Sequence, residues 1–308
     1  MRPILVALFG VELPAYFAML ATGFALATLI GARWVGRLGH DREVIIDLGL
    51  AMVVAGVIGS RLLHVVADGY FWDYVHLCTD PARVSWRITR EHCLHSSVNG
   101  LWDAAAAVCH PKEANCFAWA AFWAGGLTYY GGLIGATAYA VYFLRRERFP
   151  FWKAADMAGF AVALGLAWGR MGCFLAGCCF GVPSRHPWSA YFPRYSPASE
   201  AQFRAHRLPS EALAALPVHP TQLYEAVGCL AIAAAGYYVL APRKRFDGQV
   251  FVFFLATYSA LRFAVEILRN DDRGGLLGLS TSQLISVLIT VALVPVYRWL
   301  QSRSRPAA

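Results

Sequence analysis

The segment YSALRFAVEILR places Tyr258, Arg262, Glu266 and Arg269 at intervals of four, four and three. On a helix these spacings form one stripe, so a phenol, two guanidiniums and a carboxylate project the same way. The planar fork of arginine matches phosphate oxygens and stays charged at any working pH. Glu266 is placed to orient either arginine. The competing reading is a stripe that neutralises itself and serves structure alone. A second segment, AWGRMGCFLAGCCFG, carries Arg170, Cys173, Cys178, Cys179 and Gly181 at the end of an apolar run. A third, PVHPTQLYE, sets His219, Gln222 and Glu225 at intervals of three beside Tyr224. A helix cap with an interfacial aromatic explains part of that cluster, but four polar groups exceed what a cap needs. In a fourth, YYGGLIGA, the pair Gly131 and Gly132 lets a neighbouring helix or a ligand approach the backbone.

These residues must be held by apolar elements. The chain has 308 residues, is 58% hydrophobic and only 15% charged, with a mean hydropathy of +0.46. Apolar runs near 12–32, 44–66, 117–144, 154–175, 222–240, 249–268 and 280–299 reach the length of a bilayer crossing. The expectation is an all-α polytopic membrane protein with seven transmembrane helices and a single integral domain over 1–308. The first run is too long for a signal-peptide core and is expected to be retained. Arg61, Arg170 and Arg262 lie within or at the edges of runs, where each costs roughly 2.5–3.5 kcal/mol at a helix centre. Together with Asp156 and Glu266 they favour a polar cavity for an anionic ligand.

Cations cluster after the first, third, fifth and seventh runs, at Arg33 to Arg42, Arg145 to Lys153, Arg243 to Arg245 and Arg298 to Arg305. The positive-inside rule makes these segments cytoplasmic, the N-terminus periplasmic and the C-terminus cytoplasmic. Segments of about 67–116 and 176–221 are then periplasmic. The net charge of +8 reflects this topology and requires no nucleic acid. Cys78, Cys93, Cys109 and Cys116 in the first exported segment suggest two disulfides, with three connectivities open, and free thiols as the alternative. For Cys173, Cys178 and Cys179 the readings are buried free thiols, a disulfide using Cys173, or a metal or covalent thiol role. Spacing alone is a weak metal signal, and no metal or cofactor is expected.

Taken together, GRMGCFLAGCCFG, VHPTQLYE, YSALRFAVEILR and YYGGLIGA, with Tyr16 in the first run, resemble the bacterial prolipoprotein diacylglyceryl transferase family. The resemblance implies a seven-span enzyme of the bacterial inner membrane. It implies transfer of the diacylglyceryl group of phosphatidylglycerol to the thiol of a lipobox cysteine in exported preproteins, releasing glycerol phosphate. Its partners would be phosphatidylglycerol, other membrane lipids and lipobox-containing preproteins. Arg170 and Arg262 match the family's two essential arginines. Tyr16, Gly181, Tyr258, Glu266 and Arg269 match other residues kept at its site, and His219, Gln222 and Glu225 its polar cluster. Asp156 matches an acid at the start of the fourth span. Several positions depart from the pattern. Tyr130 stands before Gly131 and Gly132 where members usually have histidine. Cys173 replaces an asparagine, Cys178 a glutamate, and Val182 a basic residue. Tyr130 and His219 are the two candidate bases for the acceptor thiol. The alternatives are a different acceptor for the same lipid donor, or a lipid-binding membrane protein without catalysis.

Overall fold

In hydrocarbon a chain satisfies its own N–H and C=O groups as a helix or a closed barrel, and the apolar runs here fold as helices. A computed structural model describes residues 3–8, 11–94, 98, 100–122, 126–269, 275–276 and 278–304. The order begins with strands β1 (Ile4–Leu8) and β2 (Val11–Pro14), then helices α1 (Ala15–Arg37), α2 (Glu43–Ala67), α3 (Phe71–Thr79) and α4 (Arg90–Leu94). Strands β3 (Gly100–Asp103) and β4 (Val108–Pro111) precede α5 (Tyr129–Arg146), α6 (Phe151–Ala176), α7 (Pro197–Arg204) and α8 (Thr221–Ala234). The chain ends with α9 (Gln249–Ile267), β5 (Gly275–Leu276), β6 (Leu279–Ser280) and α10 (Thr281–Arg303). A π-helical turn over Ala235–Leu240 and a 3-10 turn over Ala241–Arg243 extend α8.

Among the described residues, six helices are long and apolar enough to cross a membrane: α1, α2, α6, α8 with its extension to Arg243, α9 and α10. The chain is a multi-pass membrane protein. The run at 117–144 does not fold as one long helix. Its first part forms a 3-10 turn, Ala118–Ala120, and α5 begins only at Tyr129. Gly126, at φ 68°, takes the left-handed conformation that interrupts a helix. The resulting α5 has 18 residues and ends on Arg145 and Arg146. The fold is mostly helical, as expected, and among the described residues three short antiparallel two-stranded ribbons accompany the helices. In the ribbon β3–β4 the alanines 104–107 form a turn rather than a helix. Asp103 Oδ1 accepts the amides of Ala105 (2.8 Å) and Ala106 (3.2 Å), a local alternative to helical bonding.

The chain packs as two compact units, 1–46 with 150–308, and 47–149. In the 47–149 unit, glycines bring α2 and α5 into backbone contact. A Cβ on Gly59 would meet the carbonyl oxygen of Gly131 at 2.5 Å, and one on Gly135 the carbonyl of Ala55 at 2.6 Å. Arg61 serves backbone here. Its Nε and Nη2 donate to the carbonyls of Trp119 and Ala118, both at 2.7 Å, and Nη1 to that of Gly126 at 3.3 Å. The guanidinium thus replaces hydrogen bonds that the interrupted run cannot make within a helix. Disulfides join Cys78 to Cys116 and Cys93 to Cys109.

In the other unit α6 is the central helix, in contact with α1, α8 and α9, while α10 packs on α9. Ala163, Ile232, Ala233 and Phe254 form a buried cluster between α6, α8 and α9. Asp156, fully buried, accepts the amides of Val250 (2.8 Å) and Phe251 (3.3 Å) and the ammonium of Lys244 (2.7 Å). Those amides belong to the first turn of α9, whose N–H groups have no helical partner. Asp156 is therefore a cap. At 1.5 Å per residue it lies about 21 Å along α6 from Arg170, so it takes no part in an anion site there.

Candidate functional site

Three segments distant in sequence meet through backbone bonds. Gly181 N donates to His219 O at 2.9 Å, His219 N to Val182 O at 3.0 Å, and Val182 N to Leu268 O at 2.8 Å. Gly181 also bridges Arg269 in an antiparallel pair. A Cβ on Gly181 would meet Leu268 O at 2.5 Å and the side chains of His219 and Thr221 at 2.8 Å. Only glycine lets the three strands of chain lie this close.

Glu225, on the first turns of α8, is fully buried. Arg170 Nε lies 3.0 Å from its Oε2, and Tyr258 donates to its Oε1 at 3.0 Å. Arg262 Nη1 is 3.9 Å from the same Oε2. Arg262 Nη2 pairs with Glu266 and donates to Ser282 Oγ at 3.1 Å. Arg269 Nε completes the row 3.8 Å from Glu266. The stripe read on α9 thus exists, and it meets α6 and α8 through Glu225. Three guanidiniums and two carboxylates thus lie together in a largely buried place. Arg262 Nη1 is buried with no hydrogen-bond acceptor, and Gln222 Oε1 is buried with no donor. Unmet polar atoms of this kind are costly unless a ligand or water meets them.

His219 is half-buried, its Nδ1 3.1 Å from the Tyr224 hydroxyl. Trp188 Nε1 donates to that hydroxyl at 2.8 Å, and the His186 ring lies 5.4 Å from His219. Tyr16, partly exposed near the start of α1, rests on Gly172 of α6 and within electrostatic reach of Arg170 and the three cysteines. Tyr130, Gly131 and Gly132 belong to the 47–149 unit. There Tyr130 is exposed with its ring 5.6 Å from that of Tyr129, while Gly131 packs against α2. Ser282, Trp188 and His186 were not singled out in the sequence. Only their places, one at the start of α10 and two in the loop before α8, bring them to the site.

A family profile described as prolipoprotein diacylglyceryl transferase matches residues 3–90 and 102–299. The chain belongs to that family. Similar proteins named phosphatidylglycerol–prolipoprotein diacylglyceryl transferase come from several bacteria. That of Clostridium tetani is 25% identical over 94% of this chain and 94% of its own length. That of Bordetella bronchiseptica is 29% identical over 92% and 88%, and that of Trichormus variabilis 27% over 99% and 91%.

Within this transferase family frame, Cys173 in the last turn of α6 and Cys178 and Cys179 just beyond it are unlinked thiols whose sulfurs all lie within 4.8 Å of one another. Outside the span, the Cys179 thiol is held well below its ordinary pKa. The Cys173 and Cys178 thiols hydrogen-bond its thiolate, and Arg269 adds both a hydrogen bond and positive charge. Cys178, which shares its proton with both neighbours and is partly buried, is pushed up. The sulfurs thus behave as one group beside the arginines.

Proposed function

We propose that the chain transfers the diacylglyceryl group of phosphatidylglycerol to the thiol of a lipobox cysteine in exported prolipoproteins, releasing glycerol phosphate. As a member of its family it is a transferase of lipoprotein biosynthesis. The observation that carries the substrate reading is the buried Arg262 N–H without an acceptor, in a cluster it shares with Arg170 through Glu225. A phosphodiester supplies one negative charge and oxygen acceptors for that N–H.

Glycerol carbon to sulfur transfer needs a thiolate and a leaving phosphate held by donors. Arg170 and Arg262 are assigned to the phosphate, where charge develops as the carbon–oxygen bond breaks. Glu225 and Glu266 keep the two forks in place. Tyr258 holds Glu225, Arg269 holds Glu266, and Tyr16, Gln222 and Gly181 shape the headgroup site. His219 is the proposed acceptor of the thiol proton, with its Nε2 left for the purpose while Nδ1 faces Tyr224. Tyr130, in the sequence position where the family usually has histidine, is the second candidate base. Gly131 and Gly132 are proposed to flank it at the lipid. The enzyme is read as a single domain of the bacterial inner membrane with α5 as a seventh span, a periplasmic N-terminus, a cytoplasmic C-terminus and periplasmic segments near 67–116 and 176–221.

The deciding experiment combines purified protein, phosphatidylglycerol and a lipobox peptide. Mass spectrometry should find the diacylglyceryl thioether on the cysteine. Binding of phosphatidylglycerol with no thioether, in the wild type and in Tyr130→His alike, would sink the transferase reading and favour a lipid-binding protein.

A further inference from the structure

We propose that Cys173, Cys178 and Cys179 form a three-sulfur zinc site whose open fourth position receives the acceptor thiol. The inference rests on the transferase reading and names how its acceptor is activated. The three sulfurs lie within 4.8 Å of one another, and no His, Asp or Glu joins the group among the described residues. Zinc with sulfur ligands at about 2.3 Å sets sulfurs about 3.8 Å apart in a tetrahedron. Small side-chain rotations cover the difference. Three protein ligands with one vacant position are the arrangement of a catalytic zinc, whereas structural sites close all four.

The convergence is built into the chain. Helix α6 ends at Gly177, which takes the left-handed conformation at φ 76°. The amides of Gly177 and Cys178 turn back onto the carbonyls of Phe174 and Cys173. Cys179 follows at φ 64°, a conformation that costs a non-glycine residue energy and persists only when the surroundings impose it. Two side chains of α8 impose it. Gln222 Nε2 donates to Cys178 O at 2.6 Å, and Thr221 Oγ1 to Cys179 O at 2.8 Å. The turn is therefore clamped with three sulfurs on one side. Zinc with three thiolates carries one negative charge, and Arg170 and Arg269 stand beside it.

The chemistry follows without any change of oxidation state. A free thiol with a pKa near 8.5 is mostly protonated at neutral pH, and coordination to zinc removes its proton. That proton passes to His219. The sulfur electron pair then forms the carbon–sulfur bond to the diacylglyceryl carbon. The carbon–oxygen bond to phosphate breaks, and its electron pair leaves on glycerol phosphate, held by Arg170 and Arg262. The product thioether is a weak ligand and departs. This arrangement supplies the deprotonation for which Tyr130, in place of histidine, is a poor base.

The test uses the full chain purified in detergent under reducing conditions, with zinc counted by elemental analysis and its ligands read by X-ray absorption. About one zinc per chain is expected, with three sulfurs near 2.3 Å. A lipobox peptide should add a fourth sulfur, and the same peptide with serine for cysteine should not. Cys178→Ser and Cys179→Ser should each lower zinc content by about tenfold or more at fixed free zinc, while Cys229→Ser keeps it. Absence of zinc from the folded wild type, a disulfide between any two of the three cysteines, or no added sulfur with the peptide overturns the proposal. Thioether formation by zinc-free protein overturns it while leaving the transferase reading intact. Zinc and a fourth sulfur without any thioether from phosphatidylglycerol leave the metal site standing and defeat the transferase reading.

Discussion

Glu225 and Arg170 meet at 3.0 Å with the carboxylate fully buried, and the same carboxylate accepts the hydroxyl of Tyr258. One acid from α8 thus ties the arginine of α6 to the stripe on α9. Breaking such a buried pair by removing one partner costs about 3–5 kcal/mol, because the other charge is left unpaired. A second arginine, Arg262, lies 3.9 Å from the same oxygen that Arg170 meets.

Glu225→Gln should therefore reduce both stability and turnover. Thermal unfolding in detergent is expected at a clearly lower temperature. Thioether formation should fall about 100-fold or more, since the phosphate donors lose their orientation. Wild-type turnover in a folded Glu225→Gln protein would remove this acid from the positioning network.

Arg262→Lys keeps the charge and loses the fork. Arg262 reaches Glu266 and Ser282 with one nitrogen and leaves another buried without an acceptor. An ammonium cannot fill these positions together. Turnover should drop about 100- to 1000-fold. Turnover within a factor of two of wild type would show that charge alone suffices.

The arginine stripe was legible because Tyr258, Arg262 and Glu266 lie on one helix, where spacing dictates direction, and Arg269 follows just past its end. The pairing of Arg170 with Glu225 was not, since it depends on how α6 and α8 pack. Arg61 and Asp156 looked like parts of the same anion cavity. Both instead satisfy backbone groups, carbonyls around Gly126 and amides at the start of α9. Side-chain types in a sequence do not reveal which backbone groups go unpaired. The two disulfides in 67–116 were expected, but their partners depend on the ribbon β3–β4 and were open. The convergence of Cys173 with Cys178 and Cys179 rests on one left-handed glycine and two α8 side chains. Their spacing by five and one matches no familiar metal motif.

Gly181→Ala tests the meeting of the three segments. The added methyl would sit 2.5 Å from Leu268 O and 2.8 Å from His219 and Thr221. Backbone must shift to admit it, at about 1–3 kcal/mol. A fall in melting temperature together with weaker phosphatidylglycerol binding is expected. Unchanged values in both would mean the segments part more easily than their bonds imply.

The last expectation concerns pH, at the far end of α6. Lys244 donates to Asp156 at 2.7 Å and to Asp247 at 2.5 Å. Partial burial pulls its pKa down, but the hydrogen bonds and charges of the two carboxylates outweigh this and raise it above its ordinary 10.5. A group held above its unfolded value contributes stability that is complete below that value and is lost as pH rises through the folded one. The bridge should thus act in full from pH 7 to about 10 and weaken only beyond the ordinary lysine range. Lys244→Met leaves Asp156 buried with two amides and no cation. It should unfold at a lower temperature throughout the neutral range, and it should lack the part of the alkaline loss that the wild type owes to this lysine. Melting curves of both proteins between pH 7 and 12 check this. A wild type already losing the difference from Lys244→Met between pH 7 and 9 would show that the carboxylates do not hold the proton on Lys244.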